Sequence, residues 1–220
     1  MTSFGNHHMS LSIENTLRQH SQHLLSDCDL ELLMDGTPNS RHSKVKRLIQ
    51  QGKLIHIKRG LYLITELLGH NEQPHSFEIA QRIYSPSYIS FESALSYHQL
   101  IPERVYTTTC ACTKRSKEFH TPLGIFSYLQ LPTNNFFIEV ELITYNNYHF
   151  FMAKPWKAIC DYVYSNHFVG DNFTMLLENL RINKSDLPLI KNEELDILDD
   201  YYQRKYITKF IKNIKRAYNI

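Results

Sequence analysis

The apolar positions follow two rhythms along this chain, and the rhythm changes near residue 75. Over residues 12–23 a helix is predicted, with Ser12 as its cap and Ile13, Leu17 and Leu24 at helical spacing. Residues 29–34 are short and apolar, and Asp35-Gly36 breaks them. Thr37-Pro38 then restarts a helix, because Thr can cap and Pro is pre-shaped for the first helical position. This helix runs to about Gln51, where Gly52 ends it. Leu54-Ile55-His56-Ile57 and Leu61-Tyr62-Leu63-Ile64 read as strands, joined by Lys58-Arg59-Gly60 with Gly at the left-handed position of a hairpin. Helix, helix, helix and hairpin in about 55 residues predict a winged helix-turn-helix.

Residues 66–76 are polar, with Gly69 and Pro74, and are taken as a linker. Beyond them, residues 77–84 and 90–99 read as short helices, the second capped by Ser90 with Ala94 and Leu95 facing inward. Residues 105–112, 123–131, 136–144 and 148–153 are rich in β-branched and aromatic side chains, hence strands, with Asn146-Asn147 as a turn. From Pro155 the pattern is helical to the end. The fold class expected is α+β. Residues 1–11 are expected to be disordered, 12–66 to form the winged helix, and 77–220 a mixed domain with a small, mainly antiparallel sheet and a helical C-terminus.

Composition narrows the function classes. At 42% hydrophobic residues, with 7 Gly and 8 Pro in 220, the chain is globular in type. No apolar run is long enough to cross a membrane, and no leader pattern opens the chain, so a cytoplasmic protein is expected. The four cysteines, Cys28, Cys110, Cys112 and Cys160, are read as thiols. Cys110 and Cys112 with His120 are a weak metal signal, because structural zinc needs four ligands at known spacings; the alternative is two side chains on one face of a strand. No metal or cofactor is expected. The chain carries no phosphate-cradling loop, no dinucleotide fingerprint, no zinc-protease motif and no nucleophile elbow, and its 12 His are scattered. A catalyst is therefore not expected.

Net charge is only +2, but its distribution is informative. From Arg41 to Arg59 there are seven Lys or Arg and no acid; from Tyr201 to Ile220 there are six and no acid. In the helix after Thr37, Val45, Leu48 and Ile49 are predicted to be buried. The opposite face then carries Ser40, Ser43, Arg47 and Gln50, flanked by Asn39, Lys44 and Lys46. Short polar groups at a helix start, followed by cations, suit a helix laid in the major groove, with Lys58 and Arg59 at the wing tip reaching the backbone. The candidate DNA-contacting residues are Asn39, Ser40, Arg41, Ser43, Lys44, Arg47, Lys58 and Arg59. Two further basic groups, Lys114, Arg115 and Lys117 in a turn and Lys209, Lys212, Lys215 and Arg216 in the last helix, are either solvated faces or secondary contacts to nucleic acid or to a protein partner.

One resemblance reaches across both parts. Tyr88-Ile-Ser-Phe-Glu-Ser-Ala-Leu-Ser-Tyr-His-Gln-Leu100 resembles the motif opening the second domain of AbiEi-family antitoxins, transcriptional regulators of type IV toxin–antitoxin systems. Val105-Tyr-Thr-Thr-Thr109 is similar to that domain's first strand, Lys114 and Arg115 to its basic turn, and Thr121-Pro122-Leu123-Gly124 to the approach to its next strand. Met152-Ala-Lys-Pro-Trp-Lys-Ala158 with Asp161 is similar to the family's Ala, Pro-Glu-Lys-Ala, Leu-Asp helix, departing at Trp156, where Glu is commoner. Gln51-Gly-Lys-Leu54 and Arg59-Gly-Leu-Tyr62 are similar to the winged-helix end. The match spans residues 12–165. It implies a bacterial defence protein that binds double-stranded DNA repeats in its own promoter and represses it. Its second domain would counter a nucleotidyltransferase-like toxin, through the toxin's target or a transient complex. The alternative on the residues alone is a winged-helix regulator whose second domain senses a ligand or makes dimers.

Overall fold

The computed structural model describes residues 17, 23–68, 75–145, 148–168 and 173–220. It is a mixed α and β structure with two sheets. The chain divides into two compact units, Met1–Pro74 and His75–Ile220. The segment expected to be disordered lies outside the described residues. So does the helix expected over residues 12–23, apart from Leu17, which is helical and buried, and His23.

In the first unit β1 (Leu24–Ser26) leads straight into α1 (Asp27–Leu33). Ser26 and Asp29 close a reciprocal cap: the Asp29 N–H donates to Ser26 Oγ at 3.2 Å, and the Ser26 N–H donates to Asp29 Oδ2 at 2.6 Å. Leu24 thus belongs to a strand and not to a helical stripe; a strand of three residues leaves too little alternation to read. After the Asp35-Gly36 turn comes α2 (Pro38–Gln50), whose N-cap Thr37 accepts the Ser40 N–H on its hydroxyl at 3.3 Å. Strands β2 (Leu54–Lys58) and β3 (Leu61–Ile64) form an antiparallel hairpin, and β1 adds to it in the order β1-β3-β2. Gly60 at the hairpin tip has φ +75, a left-handed conformation that favours glycine, and a Cβ there would push the Asp27 carboxylate aside from 2.9 Å. Leu17, Leu25, Leu30, Met34, Val45, Leu48, Leu54 and Ile64 form the core of this unit.

In the second unit, α3 (Ser76–Ile83), β4 (Ser87–Ile89) and α4 (Phe91–Tyr97) precede β5 (Thr108–Cys112), β6 (Lys117–Thr121), β7 (Gly124–Gln130), β8 (Val140–Tyr145) and β9 (Tyr148–Ala153). The helices α5 (Pro155–Ser165), α6 (Phe173–Leu180), α7 (Asn192–Tyr202) and α8 (Lys205–Tyr218) follow. The six strands lie in the order β6-β7-β5-β4-β9-β8. The β4–β9 and β5–β7 pairings are parallel and the others antiparallel, so the sheet is larger and more mixed than hairpins alone would make it. On one face Tyr128 reaches back to α3, its hydroxyl donating to the Ala80 carbonyl at 2.6 Å. On the other face Tyr88 and Ser90 reach α5.

Several expected strands shift. Residues 105–107 precede β5 rather than belonging to it, and residues 136–139 are turns. There the aromatic pair Phe136 and Phe137 packs on Tyr88, with ring centroids 4.8 and 6.1 Å away. Their β-propensity came from side chains that pack as a plug, not as a ladder. The Asn146-Asn147 turn lies outside the described residues. Cys110 and Cys112 share one face of β5, and both are buried. Among the described residues no cluster of His, Cys, Asp or Glu could hold a metal ion, and no helix is long and apolar enough to cross a membrane.

Candidate nucleic-acid interface and a buried ionic cluster

The outward face of α2 follows from which residues its inner face buries. Val45 and Leu48 are buried, and Arg41 and Lys44 are half-buried beside them. Ile49 is 36% exposed, contrary to expectation. It sits on the flank toward the hairpin, in a groove of about 600 Å³ that also holds His42, Lys46, His56, Arg59 and Tyr62. Removing Ile49 from the buried arc rotates the exposed face, which centres on Asn39, Ser43, Lys46 and Gln50, with Arg47 next to them. Ser40 moves to the flank facing Gly36, where its hydroxyl would lie 3.2 Å from a Cβ on that glycine.

The cations of the expected interface do different things. Arg41 donates to the Gly36 carbonyl at 2.7 Å and pairs with Glu31 at 2.8 Å. Lys44 donates to the Asp35 carbonyl at 3.0 Å. Both therefore clamp the turn between α1 and α2 and orient the helix. The side chains of Lys46, Arg47 and Arg59 are exposed, and among the described residues none of them is in a hydrogen bond or ion pair. Lys58, half-buried, stands beside Arg59 at the end of β2. Ser43 donates its hydroxyl to the Asn39 carbonyl at 3.0 Å, holding it against the helix but leaving its acceptor lone pairs outward. Lys46, Arg47 and Arg59, flanked by short amide and hydroxyl groups on a helix whose start is clamped, can meet phosphates and base edges together. The apolar pattern alone gives Lys46 only a flanking position. The partial burial of Arg41 and Lys44, which places Lys46 at the centre, carries no signal in a binary apolar pattern.

The second unit holds a cluster that the spacing of residues did not announce. Lys157 and Asp161, one helical turn apart on α5, are both fully buried and paired at 2.7 Å. Asp161 also accepts the Ser90 hydroxyl at 2.6 Å, the Tyr88 hydroxyl at 3.1 Å and the Tyr202 hydroxyl. Its carboxylate thus receives four donors, close to its full capacity. Lys157 donates to Tyr202 as well, at 3.0 Å, and its ammonium sits 3.9 Å from the centre of the Tyr201 ring. Ser90, expected as a helix cap, makes no capping bond because its hydroxyl is committed to Asp161. The cluster ties β4, α5 and α7 together. Lys157 and Asp161 both lie fully buried inside the unit. A Ser, a Lys, an Asp and two Tyr in an open cleft would suggest chemistry. Sealed from solvent and mutually satisfied, they hold the fold.

Burial, first, and the Asp161 charge, second, push the Tyr88, Tyr201 and Tyr202 hydroxyls above the ordinary tyrosine range, and burial pushes the Cys160 thiol up to about 12. All four ionise more readily in the unfolded chain, so stability is full below their unfolded values and falls as pH rises past about 9 to 10. Lys157, lowered by burial against the pull of Asp161, acts in the opposite sense, adding stability as pH rises toward 10.5. Four groups outweigh one. The urea midpoint of the second unit should fall between about pH 9 and 11, and Tyr202→Phe should make the fall shallower. A midpoint constant across that range would contradict the assignment.

Elsewhere in this unit Lys114 lies 5.4 Å from the Tyr84 ring and Lys117 4.8 Å from the Phe119 ring, so the basic turn folds onto aromatics along the edge strand β6. Arg115 is exposed, and its carbonyl accepts the Tyr84 hydroxyl at 3.1 Å. Lys215 is paired with Asp196 of α7 at 2.6 Å. Lys209, Lys212 and Arg216 are exposed. A cavity of about 300 Å³ is lined by His98, Glu139, Glu141, Lys154, Trp156 and Glu194. Lys154 pairs with Glu139 at 3.0 Å within it. In comparisons with known proteins the chain matches no protein-family model and no curated protein.

Proposed function

We propose that this protein is a winged helix-turn-helix repressor and antitoxin of a type IV toxin–antitoxin system. The observation that carries the DNA-binding half is the outward face of α2: Asn39, Ser43, Lys46, Arg47 and Gln50, beside a hairpin tip bearing Lys58 and Arg59. On this reading α2 is the recognition helix and the β2–β3 hairpin the wing, with Arg41 and Lys44 as positioning residues. Phosphate contacts supply most of the affinity and base contacts set the site. The antitoxin half rests on the resemblance over residues 12–165 to the AbiEi family. It makes the DNA contact autoregulation and gives the second unit the task of countering a nucleotidyltransferase-like toxin, as a binding protein and not a catalyst.

The test is co-expression with the neighbouring gene. A nucleotidyltransferase-like product should arrest growth, and the full chain should relieve the arrest. The Lys46→Ala, Arg47→Ala variant should relieve it equally while losing repression of the operon. Arrest that persists with the full chain removes the antitoxin reading and leaves DNA binding standing. The cavity at Lys154 favours a second reading, a regulator whose second unit senses a small ligand, since its size is that of a ligand pocket. In that case repression would respond to a metabolite and no toxic neighbour would be found.

A further inference from the structure

The last helix presents a charged face on the side away from its core. On α8, Ile207, Phe210, Ile211 and Ile214 are buried. Directly opposite them, at spacings of four, three and four, stand Lys205, Lys209, Lys212 and Arg216, all exposed. They form one stripe about 16 Å long at 1.5 Å rise per residue. Two of the five acids of the preceding helix α7 are engaged with α8 outside the stripe: Asp196 pairs with Lys215 at 2.6 Å, and Asp199 accepts the Thr208 hydroxyl at 2.7 Å. At the far end Lys184 donates to the Ala217 carbonyl at 2.7 Å, so further positive charge closes the helix C-terminus.

We infer that this stripe is a second, sequence-independent contact for the phosphate backbone of double-stranded DNA. The inference rests on the DNA-binding reading of the first unit but concerns different residues. Two features favour a phosphate backbone over an acidic protein, and the lack of base-reading groups makes the contact sequence-independent. The exposed face of α8 between Lys205 and Arg216 carries no large apolar side chain, whereas protein interfaces centre on buried aromatic or aliphatic anchors. The stripe contains no acid and no short polar group at its centre to read bases. Its cations recur every helical turn, about 5.4 Å, a spacing that long side chains can match to successive phosphates of one strand.

The experiment uses the full chain and a short duplex of random sequence, with affinity followed by anisotropy from about 50 to 200 mM salt. Neutralising the stripe with Lys205→Gln, Lys212→Gln and Arg216→Gln should weaken binding and lower the salt slope by roughly 0.9 for each phosphate no longer neutralised. Preference for promoter DNA over the random duplex should not change. The charge-preserving set Lys205→Arg, Lys212→Arg and Arg216→Lys should bind as the wild type does, which separates loss of charge from loss of fold. The recognition-helix variant Lys46→Ala, Arg47→Ala should keep residual salt-sensitive binding that disappears when the two sets are combined. A neutralised stripe whose salt curve overlays the wild type overturns the inference, as does one that alters toxin relief and leaves the curve unmoved. If the recognition-helix variant keeps full promoter preference, the reading of α2 fails instead, and the stripe is judged on its own curve.

Discussion

Asp161→Ala is expected to destabilise the second unit by about 3–5 kcal/mol, the cost of leaving a buried ion without its partner. Lys157 would keep the Tyr202 hydroxyl and the faces of Tyr88, Tyr201 and Tyr202, while the hydroxyls of Ser90, Tyr88 and Tyr202 would lose their carboxylate acceptor. Against a domain stability of about 5–15 kcal/mol this is a large fraction. Lys157→Met should cost less, because Asp161 retains three hydroxyl donors and methionine fills most of the lysine stem. The double change Lys157→Met, Asp161→Leu should recover only the part of the loss that comes from the unpaired ammonium, since the hydroxyls of Ser90, Tyr88 and Tyr202 still lose their acceptor. Urea midpoints at unchanged slope measure all three. Equal costs for the two single variants would mean that the hydroxyls do not carry the carboxylate.

On the proposed DNA-binding reading, Lys46→Ala with Arg47→Ala should remove most of the affinity for promoter DNA. A good bidentate base contact is worth about 1–3 kcal/mol, and each phosphate left without its cation lowers the salt slope by about 0.9. Arg41→Ala gives the contrasting result. Its partners are the Gly36 carbonyl and the exposed Glu31, so its removal should loosen the α1–α2 turn by about 1 kcal/mol or less and leave base preference unchanged. Competition binding against duplexes varied one base pair at a time distinguishes the two residues. Relaxed preference in Arg41→Ala and none in the double variant would exchange their roles.

From Thr37 to Ile64 the order of elements was legible because each boundary had a chemical mark: Thr37-Pro38 at the start of α2, Gly52 at its end, Gly60 at the hairpin tip, whereas β1 had none. What was not legible was rotation about the α2 axis. Apolar counting took Ile49 as buried and passed over Arg41 and Lys44, whose stems pack inward while their charged ends bind carbonyls of the preceding turn. That error kept Lys46 at the edge of the candidate site. In the second unit, the short strand β4 and the edge strand β6, with its sequence Lys-Glu-Phe-His-Thr, lack the apolar alternation by which strands are recognised. The buried cluster drew on residues 88, 90, 157, 161, 201 and 202. A pairing across more than a hundred positions leaves no local pattern, and only the resemblance of the Lys157 and Asp161 helix to a family motif marked any part of it.

The proposed repression and autoregulation both require that α2 and the β2–β3 hairpin bind the promoter of the protein's own operon. A footprint of the full chain on the DNA upstream of its gene tests this most directly. Protection is expected over repeated sites in the major groove, with flanking minor-groove or backbone protection by the wing, and loss of that pattern in the Lys46→Ala, Arg47→Ala variant. Uniform weak protection of all DNA, unchanged in that variant, would contradict it.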